Sequence, residues 1–400
     1  MQCVILAAGE GKRMRPLTAS RPKVMLPVAN RPMIEHLVEA VKMAGITDFI
    51  FIVGYREQEI RDYFGNGDKL GIRIRYAVQR EQKGTADALD AARDYIDDDF
   101  LMLNGDMIVQ ACDISAICSM KIPCIGLFES DRPKEFGVVT VEGNTVSGLV
   151  EKSQKPPGNL INAGIYLFGV DIFEKIDSLE LSERGELELT DALQPYIDGR
   201  LLSACRLTSW CDIGEPWNLL DANENFLSCI GTGSEGTIED FVIIKGPVVI
   251  GEGSVIKSGS YIEGPCIIGR NCVIGPHAYI RPSTSIGDDC HIGHSSEIKN
   301  SVIMYGSKIP HFNYVGDSVI GSGCNFGAGS KIANLRHDRK NVKSAGRDTH
   351  RKKFGAVVGD NVQLGINCSV NVGTVIGSGV MAAPGSFLEG KIADKTKIGR

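Results

Sequence analysis

"IEDFVIIKGPVVIGEGSVIKSGSYIEGPCIIGRNCVIGPHAYIRPSTSIGDDCHIGHSSEI" runs from Ile238 to Ile298, with isoleucine at 238, 244, 250, 256, 262, 268, 274, 280, 286, 292 and 298. Four residues after these isoleucines stand small or modest side chains: Val248, Ser254, Ser260, Cys266, Cys272, Ala278, Thr284, Cys290 and Ser296. Glycine often follows the isoleucine directly, as at Gly251, Gly269, Gly275, Gly287 and Gly293. An α-helix cannot hold one face at period six, because 3.6 residues per turn carries the sixth residue off that face. A triangular parallel β-coil can, with three hexapeptides per turn, isoleucine pointing inward and the small residue at the corner. The spacing therefore predicts a left-handed parallel β-helix. Cys266, Cys272 and Cys290 fall at corners, so they read as packed thiols and not as ligands.

The period loosens after Ile298, resumes as "SVIGSGCNFGAGSKI" from Ser318, breaks again, and returns from Gly355. The second gap, "ANLRHDRKNVKSAGRDTHRKKF" (333–354), is polar and basic and predicts a loop leaving the coil. Long loops inside a regular repeat are often functional.

Bulk properties narrow the function. A chain of 400 residues suggests two or three domains, and its net charge of −6 gives no general attraction to nucleic acid. The 12 cysteines include no C-x-x-C pair, and no histidine spacing suits zinc. Without a signal peptide they read as reduced thiols in a cytoplasmic protein. No apolar run approaches a membrane span, so no membrane partner is expected.

Before residue 228 the pattern alternates between strand and helix. "CVILAAG" suits a buried strand, "MIEHLVEAVKMAG" a helix ending at Gly45, "DFIFIVGY" a strand, "QEIRDYF" a helix, "IRIRYAVQ" a strand, "TADALDAARDYI" a helix and "FLMLNGD" a strand. Such alternation predicts a Rossmann-like, mostly parallel sheet with helices on both faces. Ligands in these sheets sit at the carboxyl ends of strands, where Gly9, Gly11 and Asp106 fall.

"LAAGEGKRMRPLTASRPKVMLPVANRPM" (6–33) is the richest segment. Gly9 and Gly11 let the backbone approach a phosphate chain, and Arg13, Arg15 and Lys23 add positive charge. It is no Walker loop, since Arg13 follows Gly11-Lys12 without Ser or Thr. The full string L-x-x-G-x-G-x-R-M-x-P-L-T-x-x-x-P-K-x-x-L-P resembles the signature of sugar-1-phosphate nucleotidylyltransferases, and the resemblance covers the first 228 residues. It implies that Leu6, Ala8, Gly9 and Gly11 border the nucleotide. "QREQKGTADAL" resembles the base-recognition segment, with Gln79, Gly84 and Thr85 near base and ribose. Gly137 in "EFGVV", Glu151 and Lys152 in "VEK" and Asn162 in "INAGIY" match sugar-phosphate contacts. Asp106 in "LNGD" and Asp212 in "WCDIGEP" match the acids that hold Mg²⁺. The resemblance is closest to the thymidylyl and uridylyl branch, which leaves UTP, dTTP and GTP open.

In that chemistry a sugar 1-phosphate attacks the α-phosphorus of a nucleoside triphosphate and pyrophosphate leaves. The nucleophile is already an anion, so the work is alignment and charge neutralisation. Arg13 would hold the β- and γ-phosphates, Lys23 would bridge the attacking and α-phosphates, and Asp106 and Asp212 would carry the hard Mg²⁺ ion.

The tail resembles the acetyltransferase half of the bifunctional glucosamine-1-phosphate acetyltransferase/uridylyltransferases. "YIRP" gives Arg281, "SEIKNS" Lys299, "PHFNYVGD" His311 and Tyr314, "CNFGAG" Asn325 and Ala328, "ANLRHDRKNVKS" Asn334, Lys340 and Lys343, and "MAAPG" Ala383. The resemblance places Arg281, Lys299 and Tyr314 on the sugar phosphate, and Asn334, Ala328 and Ala383 beside acetyl-CoA. Lys340 and Lys343 would reach substrate phosphate or coenzyme A across a subunit boundary. Acetyl transfer to an amine needs a group that takes its proton near neutral pH, and histidine suits that task. His311 is the candidate base, with backbone N–H groups of Gly327 to Gly329 as candidate oxyanion donors. His277, His291, His294, His337 and His350 match no such pattern and read as coil or loop surface.

These readings divide the chain into a nucleotidylyltransferase domain (1–228), a linker (229–236) and a β-helix acetyltransferase domain (237–400) with its basic loop. Its partners would be sugar phosphates, nucleotides and two further copies of itself, since such β-helix enzymes place sites between neighbouring coils. Two rivals stand beside the bifunctional reading: a nucleotidylyltransferase with a structural, oligomerising tail, and a non-catalytic regulatory subunit.

Overall fold

The backbone register turns the six-residue period into three flat walls. Ile250 pairs with Ile268 and Ile268 with Ile286 on one wall, Ile256 with Ile274 and Ile274 with Ile292 on the next, and Ile262 with Ile280 and Ile280 with Ile298 on the third. Each partner lies eighteen residues on, three hexapeptides, so every turn lays one strand on each wall. The walls are parallel sheets of 9, 9 and 8 strands, and together they form the left-handed β-helix. From Ile250 onward the inward isoleucines are buried in one continuous core, Ile244 packs partly against it, and Ile238, on the first turn with no coil before it, is exposed. Dispersion among close-packed methyls and removal of apolar surface from water hold the stack together. The corner residues Ser254, Ser260, Cys266, Cys272, Ala278, Thr284, Cys290 and Ser296 are all buried, as their spacing predicts.

Past Ile298 the coil shortens. Ile286 pairs with Ile303, and Ile298 with Val315, seventeen residues on. Ile320 then pairs with Val358, and Ile332 with Val370, so the basic segment is inserted between two stacked turns. The insertion is folded. Lys343–Ser344 pairs with Arg347–Asp348, Leu335 bridges Lys353, and Val342 and Phe354 are fully buried.

The computed structural model describes residues 1–182 and 184–399. It divides into two units: Met1–Glu10, Pro22–Met25 and Met33–Asp212 form one, and Gly11–Arg21, Leu26–Pro32 and Ile213–Arg400 the other. The signature string is thus shared between them.

The first unit holds a nine-stranded sheet: β1 (Gln2–Leu6), β2 (Asp48–Val53), β3 (Arg73–Val78), β4 (Phe100–Asn104), β5 (Cys124–Glu129), β6 (Gly137–Glu142), β7 (Thr145–Glu151), β8 (Leu160–Phe168) and β9 (Ser203–Arg206), in the order β3-β2-β1-β4-β8-β5-β9-β7-β6. The β3-β2-β1-β4 half is parallel, the Rossmann-like layout that strand–helix alternation predicts. Helices α1 (Met33–Met43), α2 (Glu57–Phe64) and α3 (Thr85–Asp90) alternate with those strands. They cover both faces: Ala86 and Leu89 of α3 cluster with Ile50 and Ile52, while Phe64 of α2 meets Phe51, one residue out of phase. The expected long helix from Thr85 is shorter, ending at Asp90 before a 3-10 turn at Arg93–Tyr95. Beyond β4 the strands run mixed, with β8 antiparallel to both β4 and β5.

Candidate functional site

Strand β1 delivers the chain to Gly9. The Ala8 carbonyl is held by the Tyr55 N–H and the Gln82 side-chain amide, 3.1 and 3.0 Å away. A Cβ at Gly9 would meet nothing within 4 Å, so the backbone there lies open. Gly11 turns at φ 67, a conformation glycine adopts without strain. Arg13 extends its side chain into solvent near Glu215, at 3.8 Å.

At the end of β4 the chain reaches Asp106. Gly105 packs directly on Leu6, its N–H bonded to the Leu6 carbonyl at 2.9 Å. The Lys23 ammonium, buried to 10% exposure, sits 2.5 Å from the Asp106 carboxylate. A two-stranded ribbon, Met107–Val109 against Trp210–Asp212, sets Asp212 opposite Met107. The two expected acids, 106 residues apart in sequence, therefore end up on adjoining positions. Among the described residues no group of three His, Cys, Asp or Glu converges on a metal position.

In the segment expected to recognise the base, side chains are committed to neighbouring backbone and side-chain groups. Gln79 donates to the Gly84 carbonyl (3.0 Å) and to Asp87 (2.8 Å). The Thr85 hydroxyl accepts the Leu189 N–H at 3.0 Å. Gly84, at φ 115, passes so close to Leu187 that a Cβ would lie 2.3 Å from its carbonyl oxygen.

Gly137 and Glu151 are cross-strand partners, and Ile161 pairs with Val138, which brings Asn162 to the same place. Asn162 donates to the Tyr166 hydroxyl at 2.7 Å and accepts the Gly164 N–H at 3.0 Å. Burial raises the Glu151 carboxyl above its ordinary range, against the lowering pull of Lys152. The Tyr166 phenol is likewise pushed up by burial, and Glu151 adds to that.

On the coil, the wall positions following Ile280, Ile298 and Val315 bring Arg281, Lys299 and Gly316 into one column. Arg281 binds Glu297 at 2.8 Å. Gly316 lacks a side chain where a Cβ would fall 2.5 Å from the Tyr314 hydroxyl and 2.7 Å from the Asn334 amide. That gap lets Tyr314 and Asn334 meet at 3.1 Å. Beneath them the buried Asp317 takes Lys299 at 3.0 Å and Asn334 at 2.5 Å. Burial, then the Asp317 charge, raises the Tyr314 phenol. Arg281, Lys299, Tyr314 and Asn334 thus form one polar cluster.

His311 lies apart from that cluster, across the Phe312–Asn313 turn. It is exposed and pairs in register with His294, whose ring packs edge-on against His277 (5.7 Å) and Phe312 (5.3 Å). Two of the histidines expected to be plain coil surface therefore stack with each other. His291 nearby is lowered by burial and by Lys257, His311 and Lys308. The Gly329 N–H is committed to the His311 carbonyl and the Gly327 N–H to Leu364. Of the three expected oxyanion donors, only the Ala328 N–H has no partner among the described residues. The Ala328 carbonyl accepts the Asn367 N–H, and the next turn binds Gly365 to Ala382, which sets Ala328 and Ala383 along one edge. Asn325, half-buried, pairs between Lys308 and Gln363. Lys340 and Lys343 line a cavity of about 640 Å³ in the inserted loop, together with Arg336, Asp338, Asn341 and Asp348.

Sequence reasoning missed Asp317 and Glu297, although both stand inside quoted motifs. A charged residue next to buried coil positions is the signal that would have found them.

A nucleotidyl transferase family model matches residues 2–228, and a GMPPB C-terminal domain model matches 262–397. The bifunctional protein GlmU of Methanocaldococcus jannaschii is 43% identical over 404 residues, covering 100% of this chain and 97% of that protein. The bifunctional sugar-1-phosphate nucleotidylyltransferase/acetyltransferase of Sulfurisphaera tokodaii is 42% identical and covers 97% of each chain. A Bacillus anthracis crystal structure, described as a glucose-1-phosphate thymidylyltransferase, is 30% identical with a TM-score of 0.54, covering 58% of this chain and 97% of that one. With nucleotidyltransferase and acetyltransferase relatives matched end to end, the chain is an enzyme of both kinds and belongs to the family of bifunctional GlmU-type sugar-1-phosphate nucleotidylyltransferase/acetyltransferases.

Proposed function

We propose that this enzyme acetylates glucosamine 1-phosphate, or its galactosamine epimer, with acetyl-CoA, and then couples the N-acetylhexosamine 1-phosphate to UTP. The observation that carries the reading is the polar cluster of Arg281, Lys299, Tyr314 and Asn334 built onto a coil that needs none of them to stack. A purely oligomerising tail gives no reason for a lysine and two amides gathered on a buried acid, Asp317, with a phenol bonded to one of those amides and an arginine paired with Glu297 beside them.

In the first reaction the acceptor amine attacks the thioester carbonyl. Its proton passes to His311, the C–S bond breaks, and the coenzyme A thiolate leaves and takes up a proton. Arg281 and Lys299 bind the acceptor's phosphate, Tyr314 its sugar hydroxyls. Asn325, Asn334 and the Ala383 backbone border acetyl-CoA. Of the Gly327–Gly329 N–H groups, the one at Ala328, without a partner among the described residues, donates to the developing oxyanion in this reading. Lys340 and Lys343 hold phosphate groups from the loop cavity. We take the working unit to be a trimer, which brings a neighbour's loop to each His311, and the reduced cysteines to place it in the cytoplasm.

In the second reaction the sugar phosphate oxygen attacks the α-phosphorus and pyrophosphate departs. Gly137, Glu151, Lys152 and Asn162 orient the sugar. Leu6, Ala8, Gln79, Gly84 and Thr85 fix the nucleotide, with the open backbone at Gly9, the Gly11 turn and Arg13 on its phosphates. Asp106 and Asp212 fit Mg²⁺: two carboxylate oxygens suit a hard ion that keeps several waters and takes phosphate oxygens for the rest. When bound, that ion neutralises charge on the phosphates. Lys23, already held at Asp106, reaches those same phosphates.

Incubation with acetyl-CoA and each hexosamine 1-phosphate, followed by free-thiol release, tests the reading. Release with glucosamine or galactosamine 1-phosphate is expected. Silence with both, alongside pyrophosphate release from UTP, would assign the tail a structural role.

A further inference from the structure

Asp317 follows the Tyr314–Gly316 strand at φ 50, with its side chain only 3% exposed. Its carboxylate binds Lys299 at 3.0 and 3.4 Å, Asn300 at 2.9 Å and Asn334 at 2.5 Å. Its main-chain carbonyl accepts the Gly355 N–H at 2.8 Å, while the Phe354 N–H donates to the Asn334 carbonyl at 3.0 Å. One residue therefore grips both ends of the inserted loop, Asn334 where it leaves the coil and Gly355 where it returns.

Buried corner positions of the coil are filled mainly by Ser, Cys, Ala and Thr, with Asn313 and a second acid, Asp360, which is held by Arg21 and the Ser322 N–H, as other buried polar residues. A carboxylate among them costs desolvation unless several donors surround it. Here every named donor comes from the acetyl-transfer cluster or its edge. Lys299 is on the acceptor-phosphate side and Asn334 on the acetyl-CoA side, and Asp317 is the shared partner that spaces them.

We infer that Asp317 is a positioning residue for acetyl transfer, holding Lys299, Asn334 and the 333–354 loop in one register so that acceptor and donor bind in alignment. This rests on the acetyltransferase reading above.

The test uses the full-length enzyme carrying Asp317→Asn. Replacing one acceptor oxygen by an amide faces donors with a donor, so the KM for hexosamine 1-phosphate and the KM for acetyl-CoA both rise, each roughly ten-fold. Lys299→Met raises the first alone and Asn334→Ala the second alone. Amide hydrogen exchange across 333–354 accelerates roughly ten-fold in Asp317→Asn, while pyrophosphate release is unchanged. If the Asn variant does not fold, Asp317→Ser, the residue type the coil uses at its own corners, carries the same expectations. A shift in only one KM overturns the proposal. So does a fall in kcat at constant KM with loop exchange unchanged, the pattern of a smaller folded population. If the wild-type enzyme releases no thiol, the acetyltransferase reading fails, and loop exchange decides the role of Asp317. Faster exchange in the variant then sustains it as the anchor of the loop, and unaltered exchange overturns it.

Discussion

Glu151 shows how one buried acid on the sugar side registers in a bulk measurement. Burial raises its carboxyl, with Lys152 pulling the other way. The folded state thus holds this proton more tightly than the unfolded chain does. Its contribution favours folding at low pH and is lost as pH rises from the unfolded carboxylate range, about 4.3, through the raised folded value. Glu151→Gln removes that loss. Thermal unfolding from pH 4 to pH 7 should show the Tm of the Gln variant gaining on the wild type as pH rises, while the KM for the sugar 1-phosphate increases several-fold. Parallel Tm curves would mean that Glu151 titrates as it does in the unfolded chain. The motif "VEK" made this residue legible. Its burial was not, because that depends on Gly137 across the β-ladder and on Tyr166. Asp317 was harder still, since each of its side-chain partners lies seventeen or eighteen residues away.

The β-helix turns are the element most legible in sequence. Their contacts repeat at a fixed offset, so Ile at every sixth position determines wall and corner together. The break after Ile298 shows in the sequence as a loosened period, and in the structure it is one residue lost, which changes the stacking to seventeen. The insertion was legible as a departure from the coil. Its hairpin and buried Val342 and Phe354 were not, because they depend on contacts the repeat does not encode. The corner cysteines give a test at this scale. Burial pushes Cys266, Cys290 and Cys324 up to about 12 and Cys272 to about 11. At pH 8 only about one in ten thousand of the former is thiolate, and the thiolate is the reactive form. A soluble thiol reagent should therefore label exposed Cys112 and Cys229 in the native enzyme and spare the corner thiols until denaturant is added. Labelling of Cys266 or Cys290 without denaturant would show that the coil opens locally.

For the whole molecule, the strand–helix alternation revealed the parallel half of the first sheet but not its mixed half. Beyond β4 the chain returns antiparallel as β8, a pairing set by residues some sixty positions apart. That return shapes the proposed nucleotidyl-transfer site, because β8 and the Trp210–Asp212 ribbon bring Asn162 and Asp212 towards the end of β4. The two active halves share one chain, and the chemistry assigned to each uses different residues.

Whether the β-helix performs its own catalysis is decided by His311→Ala. His311 is exposed, and no coil core contact depends on its ring, so the variant should fold. Thiol release from acetyl-CoA with the hexosamine 1-phosphate should fall by about 10²–10⁴, while pyrophosphate release from UTP and N-acetylhexosamine 1-phosphate stays at the wild-type rate. Thiol release persisting at the wild-type rate, or both activities falling together, would contradict catalysis by the β-helix.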